Sequence, residues 1–373
     1  MEKYICRIED IGNYLYCKDN NKILKYVSLG EMLQDYKSDE IVFVKNTETI
    51  NSFSFPFKIF LDISNYCNLH CKHCLSQSSP KHIQFLDMSI IKKIVDEICK
   101  YGVFQIKIGG GEPLLYPHFW DIISYIRNNM PLTRISFTTN GTTLSIEDIQ
   151  FIKKYKCEVS VSIDGTEEIH NCIRNGDVYK KAYRTIELLL ENNITPIVRY
   201  TLMDQNIECF REVYDLFKNQ KITLKVRRYK CTSHIQDKLL TYKEDYFELI
   251  KKMNNNLYCD LEDIMKNKLA SKEELYCSYD CGAAFRSIYI DCFGNISPCV
   301  FMGDEFLCGN VMENKIKKIW DTSGILKKIR MREDDSKCSN CERRLICHGE
   351  CLGIRKYYKS NSNIVDPACM IGR

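Results

Sequence analysis

Cysteines whose spacing suits metal ligation are the residues of this chain with the clearest chemistry. The chain has 21 cysteines in 373 residues, and Cys67, Cys71 and Cys74 follow the spacing C-x3-C-x2-C. Three such thiolates can hold three irons of a [4Fe–4S] cube and leave the fourth iron open to another ligand. Eight further cysteines after residue 276 could close two more clusters with four thiolates each. The spacing therefore predicts a redox enzyme in which a molecule reacts at the open cluster and electrons move through the closed ones.

Short apolar runs alternate with amphipathic stretches between about residues 57 and 227. The runs predict strands at 57–63, 104–108, 133–138, 157–163, 196–202 and 222–227. Apolar residues at helical spacing predict helices at 89–100, 117–129, 145–155, 178–192 and 206–219. Six strand–helix alternations imply parallel strands joined by right-handed crossovers. We therefore expect an α/β fold with a partial (β/α)6 TIM-like barrel that is left partly open.

The unusual residues all follow predicted strands. The cysteine loop follows the first strand, and the loop GGGEP (Gly109–Pro113) follows the second. Asn140-Gly141 and Asp164-Gly165 follow the third and fourth strands. These positions lie at the carboxyl ends of the strands, where barrel enzymes build their active sites.

The cysteine loop and GGGEP together resemble the radical S-adenosylmethionine (radical SAM) superfamily. The resemblance implies that SAM chelates the open iron and that an electron cleaves it to methionine and a 5′-deoxyadenosyl radical. It also implies SAM contacts from His73, Gly110, Gly111, Glu112, Ser162 and Arg174. His73 stands where the family often has an aromatic residue. A zinc site completed by His70 or His73 is the competing interpretation, but zinc explains neither the barrel position nor the glycines.

The cysteines after residue 276 have a second characteristic spacing. Cys281, Gly294 and Cys299 are followed by C-x2-C-x5-C-x3-C and a last cysteine, Cys369. This pattern resembles the SPASM domain, an iron–sulfur domain of peptide- and protein-modifying radical SAM enzymes. The resemblance implies one auxiliary cluster on Cys277, Cys281, Cys299 and Cys351, and another on Cys338, Cys341, Cys347 and Cys369. A structural zinc ribbon built from 338–369 is the alternative. We interpret the remaining ten cysteines as small buried apolar residues.

Composition and patterning suggest four regions. Residues 1–54 form a small N-terminal segment with a predicted hairpin and possible peptide contact, and 55–227 form the barrel. Residues 228–276 are predicted as a mostly helical bridge, for example at 242–253, and 277–373 as the SPASM domain, where helical periodicity fades. Lys+Arg 53 against Asp+Glu 49, without blocks of like charge, argues against nucleic acid and membrane partners. Many cysteines without a secretory signal argue for the cytoplasm.

The combined resemblance implies a peptide maturase with three [4Fe–4S] clusters and SAM. Such an enzyme abstracts hydrogen from a ribosomally made precursor peptide and installs a thioether, carbon–carbon or carbon–oxygen crosslink. Its partners would be the precursor peptide and an electron donor such as flavodoxin or ferredoxin. An anaerobic sulfatase-maturing enzyme is one alternative, although Val300 stands where those relatives carry an Asp that acts as the general base. A related radical SAM dehydrogenase and a non-catalytic metal-binding scaffold are the others.

Overall fold

The computed structural model describes most of the barrel region and parts of the flanking segments. The described residues are 3–9, 12–17, 22–26, 28–45, 53–230, 257–259, 282–331, 351 and 353. The predicted helix at 242–253 lies outside them. The boundaries of the four predicted regions stay predictions.

The six predicted strands form the centre of one sheet. They are β5 (Lys58–Asp62), β6 (Gln105–Gly109), β7 (Arg134–Thr139), β8 (Glu158–Ser162), β9 (Ile197–Leu202) and β10 (Thr223–Arg228). Each strand pairs in parallel with the next along the chain. The sheet stays open, which confirms the predicted partial barrel.

Further strands extend the sheet at both edges. They are β11 (Leu257–Cys259), β12 (Ser287–Ile290), β13 (Asn295–Ser297) and β14 (Gly309–Asn310). β11 adds to β10 in parallel, and β12 adds to β5 in parallel. Within the described residues the order is β11-β10-β9-β8-β7-β6-β5-β12-β13-β14. The C-terminal region therefore continues the same sheet that carries the cysteine loop.

Amphipathic helices cover the outer face of this sheet. They are α2 (Met88–Ile98), α3 (Phe119–Asn129), α4 (Ile146–Tyr155), α5 (Glu167–Arg174), α6 (Tyr179–Glu191) and α7 (Phe210–Phe217). In α2 the residues Ile91, Ile94, Val95 and Ile98 are buried, as their spacing predicts. The sequence predicted each of these six helices except α5. Their apolar faces pack on the buried strand residues to form one large core.

The concave face of the sheet is polar. In β5 the second and fourth residues are buried in the core, so that Lys58, Phe60 and Asp62 lie on the concave side. Burial, followed by neighbouring cations, lowers the pKa of Lys58 to about 7 and that of Lys225 on β10 to about 6. A closed barrel fills this space with branched apolar side chains. Here the concave face instead carries charged side chains, which suits contact with a polar ligand.

The N-terminal segment forms a four-stranded sheet in the order β3-β2-β1-β4. Its elements are β1 (Tyr4–Glu9), β2 (Gly12–Cys17), β3 (Lys22–Tyr26), α1 (Leu29–Asp35) and β4 (Ile41–Lys45). Antiparallel pairing of β2 with β3 confirms the predicted hairpin. Neither β1 nor α1 was predicted.

This small sheet packs against the amino ends of the barrel strands. Tyr16 stacks on Phe104, which directly precedes β6, with ring centroids 5.1 Å apart. Phe57 and Leu132, which precede β5 and β7, belong to the same buried cluster. Arg7 is fully buried, pairs with Glu9 and donates to the carbonyl oxygens of residues 55 and 56. The N-terminal sheet therefore closes the end of the barrel opposite the cysteine loop.

Two short helices lie in the C-terminal region, α8 (Ile316–Thr322) and α9 (Gly324–Met331). Neither helix was predicted, because helices of this length give little periodic signal in the sequence. Glu97 of α2 accepts the backbone N–H groups of Ile316 and Lys317 at 3.0 and 2.9 Å. No helix in the described parts of the chain combines the length and apolar character that a bilayer crossing requires.

Candidate active site

The glycine-rich loop and the segment that leads into the cysteine loop are in direct backbone contact. Gly111 N–H donates to the carbonyl of Ser64 at 2.7 Å, and Glu112 N–H donates to that of Tyr66 at 2.9 Å. A Cβ on Gly111 would lie 1.9 Å from the Tyr66 oxygen, and Gly110 has a φ of +119°. Only glycine fits here. Because an ammonium group only donates hydrogen bonds, the loop can bind one through its backbone carbonyl oxygens.

The three cysteine sulfurs of the first loop each lie near an N–H donor. Cys67 Sγ accepts from its neighbour Leu69 N–H at 3.4 Å, and Cys74 Sγ accepts from Ser78 N–H at 3.3 Å. Arg174 Nη1 lies 3.8 Å from Cys71 Sγ. Donors of this kind stabilise thiolate sulfur and tune the potential of a cluster that it binds.

Cluster binding at this loop would release protons, because burial raises the pKa values of the Cys67 and Cys71 thiols. Burial, together with the nearby Glu112, Cys71 and Cys74, raises the pKa of Cys67 to about 12, against a hydrogen bond from Leu69 N–H that lowers it. Among the described residues no group of three or more His, Cys, Asp or Glu side chains has the geometry of a formed metal site. Three thiols within electrostatic reach of one another, each with an N–H donor, nevertheless fit an iron–sulfur cluster by donor chemistry. Their ligation stays a prediction.

Glu112 links the glycine-rich loop to the end of β7. It is 1% exposed, and its Oε2 accepts from Asn140 N–H at 2.7 Å. Its Oε1 accepts from Leu114 N–H at 3.4 Å. Burial raises the pKa of Glu112 to about 7, against hydrogen bonds that lower it. The carboxylate was predicted as a SAM contact, and in the structure it holds two loops in position.

Arg174 is held at the site by Asp164. Asp164 is fully buried at the carboxyl end of β8, and its Oδ2 pairs with Arg174 and lies 3.3 Å from Nε2 of His73. Its Oδ1 accepts from Thr201 N–H at 2.9 Å. Burial alone would raise the pKa of Asp164, but Arg174 and His73 hold it well below its usual range. The pair directs a permanent cation toward Cys71.

His170 is a buried residue of this site that the sequence did not reveal. Its Nδ1 accepts the backbone N–H of Asp164 at 3.1 Å. Burial, followed by Arg174, lowers the pKa of His170 to about 4, so the ring is neutral at pH 7. The spacing of His170, Ile173 and Arg174 on one face of α5 is the signal that could have indicated it. Ser162, the last residue of β8 and two positions before Asp164, is also buried.

A second polar pair lies on the other side of the cysteine loop. Tyr289 on β12 donates its hydroxyl to Oδ2 of Asp62 at 2.7 Å. Asp62 is the last residue of β5 and is partly exposed on the concave face. The two residues are 227 positions apart, so local pattern could not connect them.

Two of the eight predicted auxiliary ligands are described, and they lie near each other. Burial raises the pKa of Cys299, and the nearby thiol of Cys351 raises it further, whereas Lys230 and Arg227 lower it. The structure thus brings together two cysteines that are 52 positions apart in sequence. The other six, Cys277, Cys281, Cys338, Cys341, Cys347 and Cys369, lie outside the described residues, and their ligation stays a prediction.

Two family models match this chain. Residues 61–217 match the radical SAM superfamily, and residues 281–342 match SPASM, an iron–sulfur cluster-binding domain. Both matches agree with the resemblances seen in the sequence. They imply that the chain binds iron–sulfur clusters and SAM.

The chain is also similar to individual curated proteins and solved structures. Mycofactocin maturase MftC of Mycolicibacterium smegmatis is 26% identical over 329 residues, which cover 85% of this chain and 83% of MftC. The antilisterial bacteriocin subtilosin biosynthesis protein AlbA of Bacillus subtilis is 24% identical over 285 residues, 74% of this chain and 62% of AlbA. Streptococcus suis SuiB bound to its precursor peptide SuiA has a TM-score of 0.81 and 18% identity over 100% of this chain and 99% of SuiB. The likeness to SuiB shows the fold.

Proposed function

This chain carries a radical SAM domain followed by a SPASM iron–sulfur domain, and we propose that it is a maturase that crosslinks a ribosomally made precursor peptide. The observation that carries the proposal is the meeting of the cysteine loop, the glycine-rich loop and Arg174 at the carboxyl ends of the strands. The names of MftC and AlbA, and the peptide bound to SuiB, support a peptide as the substrate.

The proposed cofactors are three [4Fe–4S] clusters and SAM. Cys67, Cys71 and Cys74 would hold the open cluster, and the two sets of four C-terminal cysteines would hold the auxiliary ones. SAM supplies a 5′-deoxyadenosyl radical that abstracts hydrogen from the peptide. Proximity of Cys299 to Cys351 supports the first auxiliary set.

The chain's own residues would bind and orient SAM at this site. Carbonyl oxygens of Gly110 and Gly111 have the polarity to accept from the methionyl ammonium group. Arg174, held by Asp164, would face an anionic group beside Cys71, and buried Ser162 would contact the ribose. The backbone of His73 would contact the adenine. Glu112 would act indirectly, because its carboxylate holds the glycine-rich loop against Asn140.

The crosslink would be a thioether, carbon–carbon or carbon–oxygen bond. Its closure removes one further electron from the peptide, for which an auxiliary cluster is the acceptor. The first cluster would be reduced by a flavodoxin or ferredoxin in the cytoplasm. Val300 follows Cys299 and cannot accept a proton, which disfavours sulfatase maturation. For the same reason, a crosslinking enzyme needs its base elsewhere.

Co-expression tests this function. The protein is produced anaerobically with each small peptide encoded next to it, and the peptides are analysed by mass spectrometry. We expect one peptide to lose two hydrogen atoms and to show a fragmentation gap between the joined residues. A control with Cys67→Ala should leave its mass unchanged. Unchanged peptides in the presence of the cluster-loaded wild type would contradict the proposal.

A further inference from the structure

Closing a crosslink requires a proton acceptor, an inference that rests on the proposed function. When a substrate carbon radical joins an X–H group of the peptide, the C–X bond forms and the X–H bond breaks. One electron and one proton leave. The electron passes to an auxiliary iron–sulfur cluster, which is reduced. The proton must go to a base that lies beside the reacting atoms.

Two of the buried carboxylates at the site already accept hydrogen bonds or pair with a cation. Glu112 accepts hydrogen bonds from the backbone of Asn140 and Leu114 and faces the protein interior. Asp164 pairs with Arg174 and accepts from Thr201 N–H, so its pKa lies well below the usual range. Asp164 is therefore too weak a base near neutral pH, whereas Glu112 is excluded because both of its carboxylate oxygens accept backbone N–H groups.

Asp62 has the geometry that these two lack. It ends β5 on the concave side of the sheet, five positions before Cys67. Its Oδ2 is oriented by the Tyr289 hydroxyl at 2.7 Å. Its Oδ1 lies beside Gly109, where a Cβ would come within 2.7 Å of it. The carboxylate therefore lies on the concave face of the sheet, next to the first glycine of GGGEP.

The groups around Asp62 leave it able to change protonation near neutral pH. On the β12 side it is faced by Tyr289, Asp291 and Cys292. On the β6 side its register partner is Gly109, and the next concave position is Lys107. Burial raises the pKa of Asp62 to about 7; Asp291 also raises it, and the Tyr289 hydrogen bond lowers it. A base is most effective when its pKa is close to the working pH.

We propose that Asp62 is the general base that accepts the proton released when the peptide crosslink closes, with Tyr289 as the residue that positions it. Hydrogen abstraction by the 5′-deoxyadenosyl radical precedes this step and does not need Asp62. Removal of the base should therefore separate SAM cleavage from crosslinking.

The first test compares two products in Asp62→Asn, Asp62→Glu and wild-type protein with the peptide that the wild type modifies. For Asp62→Asn we expect crosslinking to fall by about 100-fold or more, while 5′-deoxyadenosine forms at close to the wild-type rate. Asp62→Glu keeps a carboxylate and should recover part of the crosslinking.

The second test is the pH dependence of the crosslink-to-5′-deoxyadenosine ratio. In the wild type the ratio should fall as the pH drops through about 7, the pKa of Asp62. Tyr289→Phe removes a hydrogen bond to the charged form and should move this fall to higher pH, by about one unit. Asp291→Asn removes a nearby negative charge and should move it to lower pH. A purely structural role would shift neither.

The outcomes separate this proposal from the proposed function. Equal crosslinking by Asp62→Asn and wild type would overturn the role of Asp62 alone. So would a pH dependence that neither Tyr289→Phe nor Asp291→Asn shifts. A wild type that cleaves SAM and modifies no co-encoded peptide would overturn the proposed function and this role with it.

Discussion

Arg174 shows how a single buried carboxylate can hold a cation at the cysteine loop. Arg174 is 9% exposed, pairs with Asp164 and lies 3.8 Å from the Cys71 sulfur. Burial lowers its pKa, but Asp164 and Cys71 outweigh that effect and raise it. The guanidinium therefore depends on Asp164 to stay charged and in place.

Replacing Asp164 with Asn should destabilise the protein markedly. Removal of one partner from a buried ion pair leaves an uncompensated charge, and we expect a loss of about 3–5 kcal/mol in the free energy of unfolding. Anaerobic urea denaturation measures it. Asp215→Asn is the matched control, because Asp215 pairs with Lys218 and Arg211 on an exposed helix surface. Equal stability of Asp164→Asn and wild type would contradict the assigned role of the pair.

At the scale of elements, the site depends on two loops that touch through their backbones. The glycine-rich loop donates two backbone hydrogen bonds to the 64–66 segment, and the contact leaves no space for a side chain at Gly111. The position of the cysteine loop is therefore set by β6 as well as by its own strand, β5.

Gly111→Ala should displace the cysteine loop and weaken the first cluster while the auxiliary iron remains. The added Cβ would overlap the Tyr66 carbonyl oxygen, so one of the loops must move. Iron analysis and the change in electron paramagnetic resonance on SAM addition measure this effect; we expect less iron and no SAM response. Gly324→Ala is the control, because nothing lies within 4 Å of its added Cβ. A normal SAM response in Gly111→Ala would contradict the account.

The sequence predicted the strands and most helices of the barrel because each has a strong local period. It missed α5, whose buried face includes His170 and Arg174 and is held by polar contacts instead of apolar spacing. It also missed the pairing of β12 with β5, since a local pattern does not specify a partner more than 200 residues away.

The site was predictable where its residues follow strands directly. The cysteine and glycine loops are of this kind, and the structure places them in contact. The hydrogen bond from Tyr289 to Asp62 depends on the long-range pairing of β12 and could not be read from sequence.

At the scale of the whole molecule, the two ends of the barrel have different roles. The carboxyl end carries the cysteine and glycine loops, and the amino end is closed by the N-terminal sheet through Tyr16, Phe104 and Phe57. This contact covers apolar residues that would otherwise be exposed.

Tyr16→Ala should loosen the N-terminal sheet from the barrel. Tyr16 is 0% exposed, and truncation of such an aromatic side chain costs about 3–5 kcal/mol. Denaturant unfolding and limited proteolysis measure the effect. Phe43→Ala provides the matched control, since Phe43 on β4 is 40% exposed and should matter less. Equal protease resistance of Tyr16→Ala and wild type would show that the contact does not hold the sheet.

The most direct test of the account is reductive cleavage of SAM by the full protein. The chain is reconstituted with iron and sulfide under anaerobic conditions, reduced with dithionite and given SAM, and 5′-deoxyadenosine is quantified. We predict its formation by the wild type and its absence in a variant with Cys67, Cys71 and Cys74 all replaced by Ala, which should keep the auxiliary iron. Wild-type protein that carries its full iron and yields no 5′-deoxyadenosine would contradict the central claim.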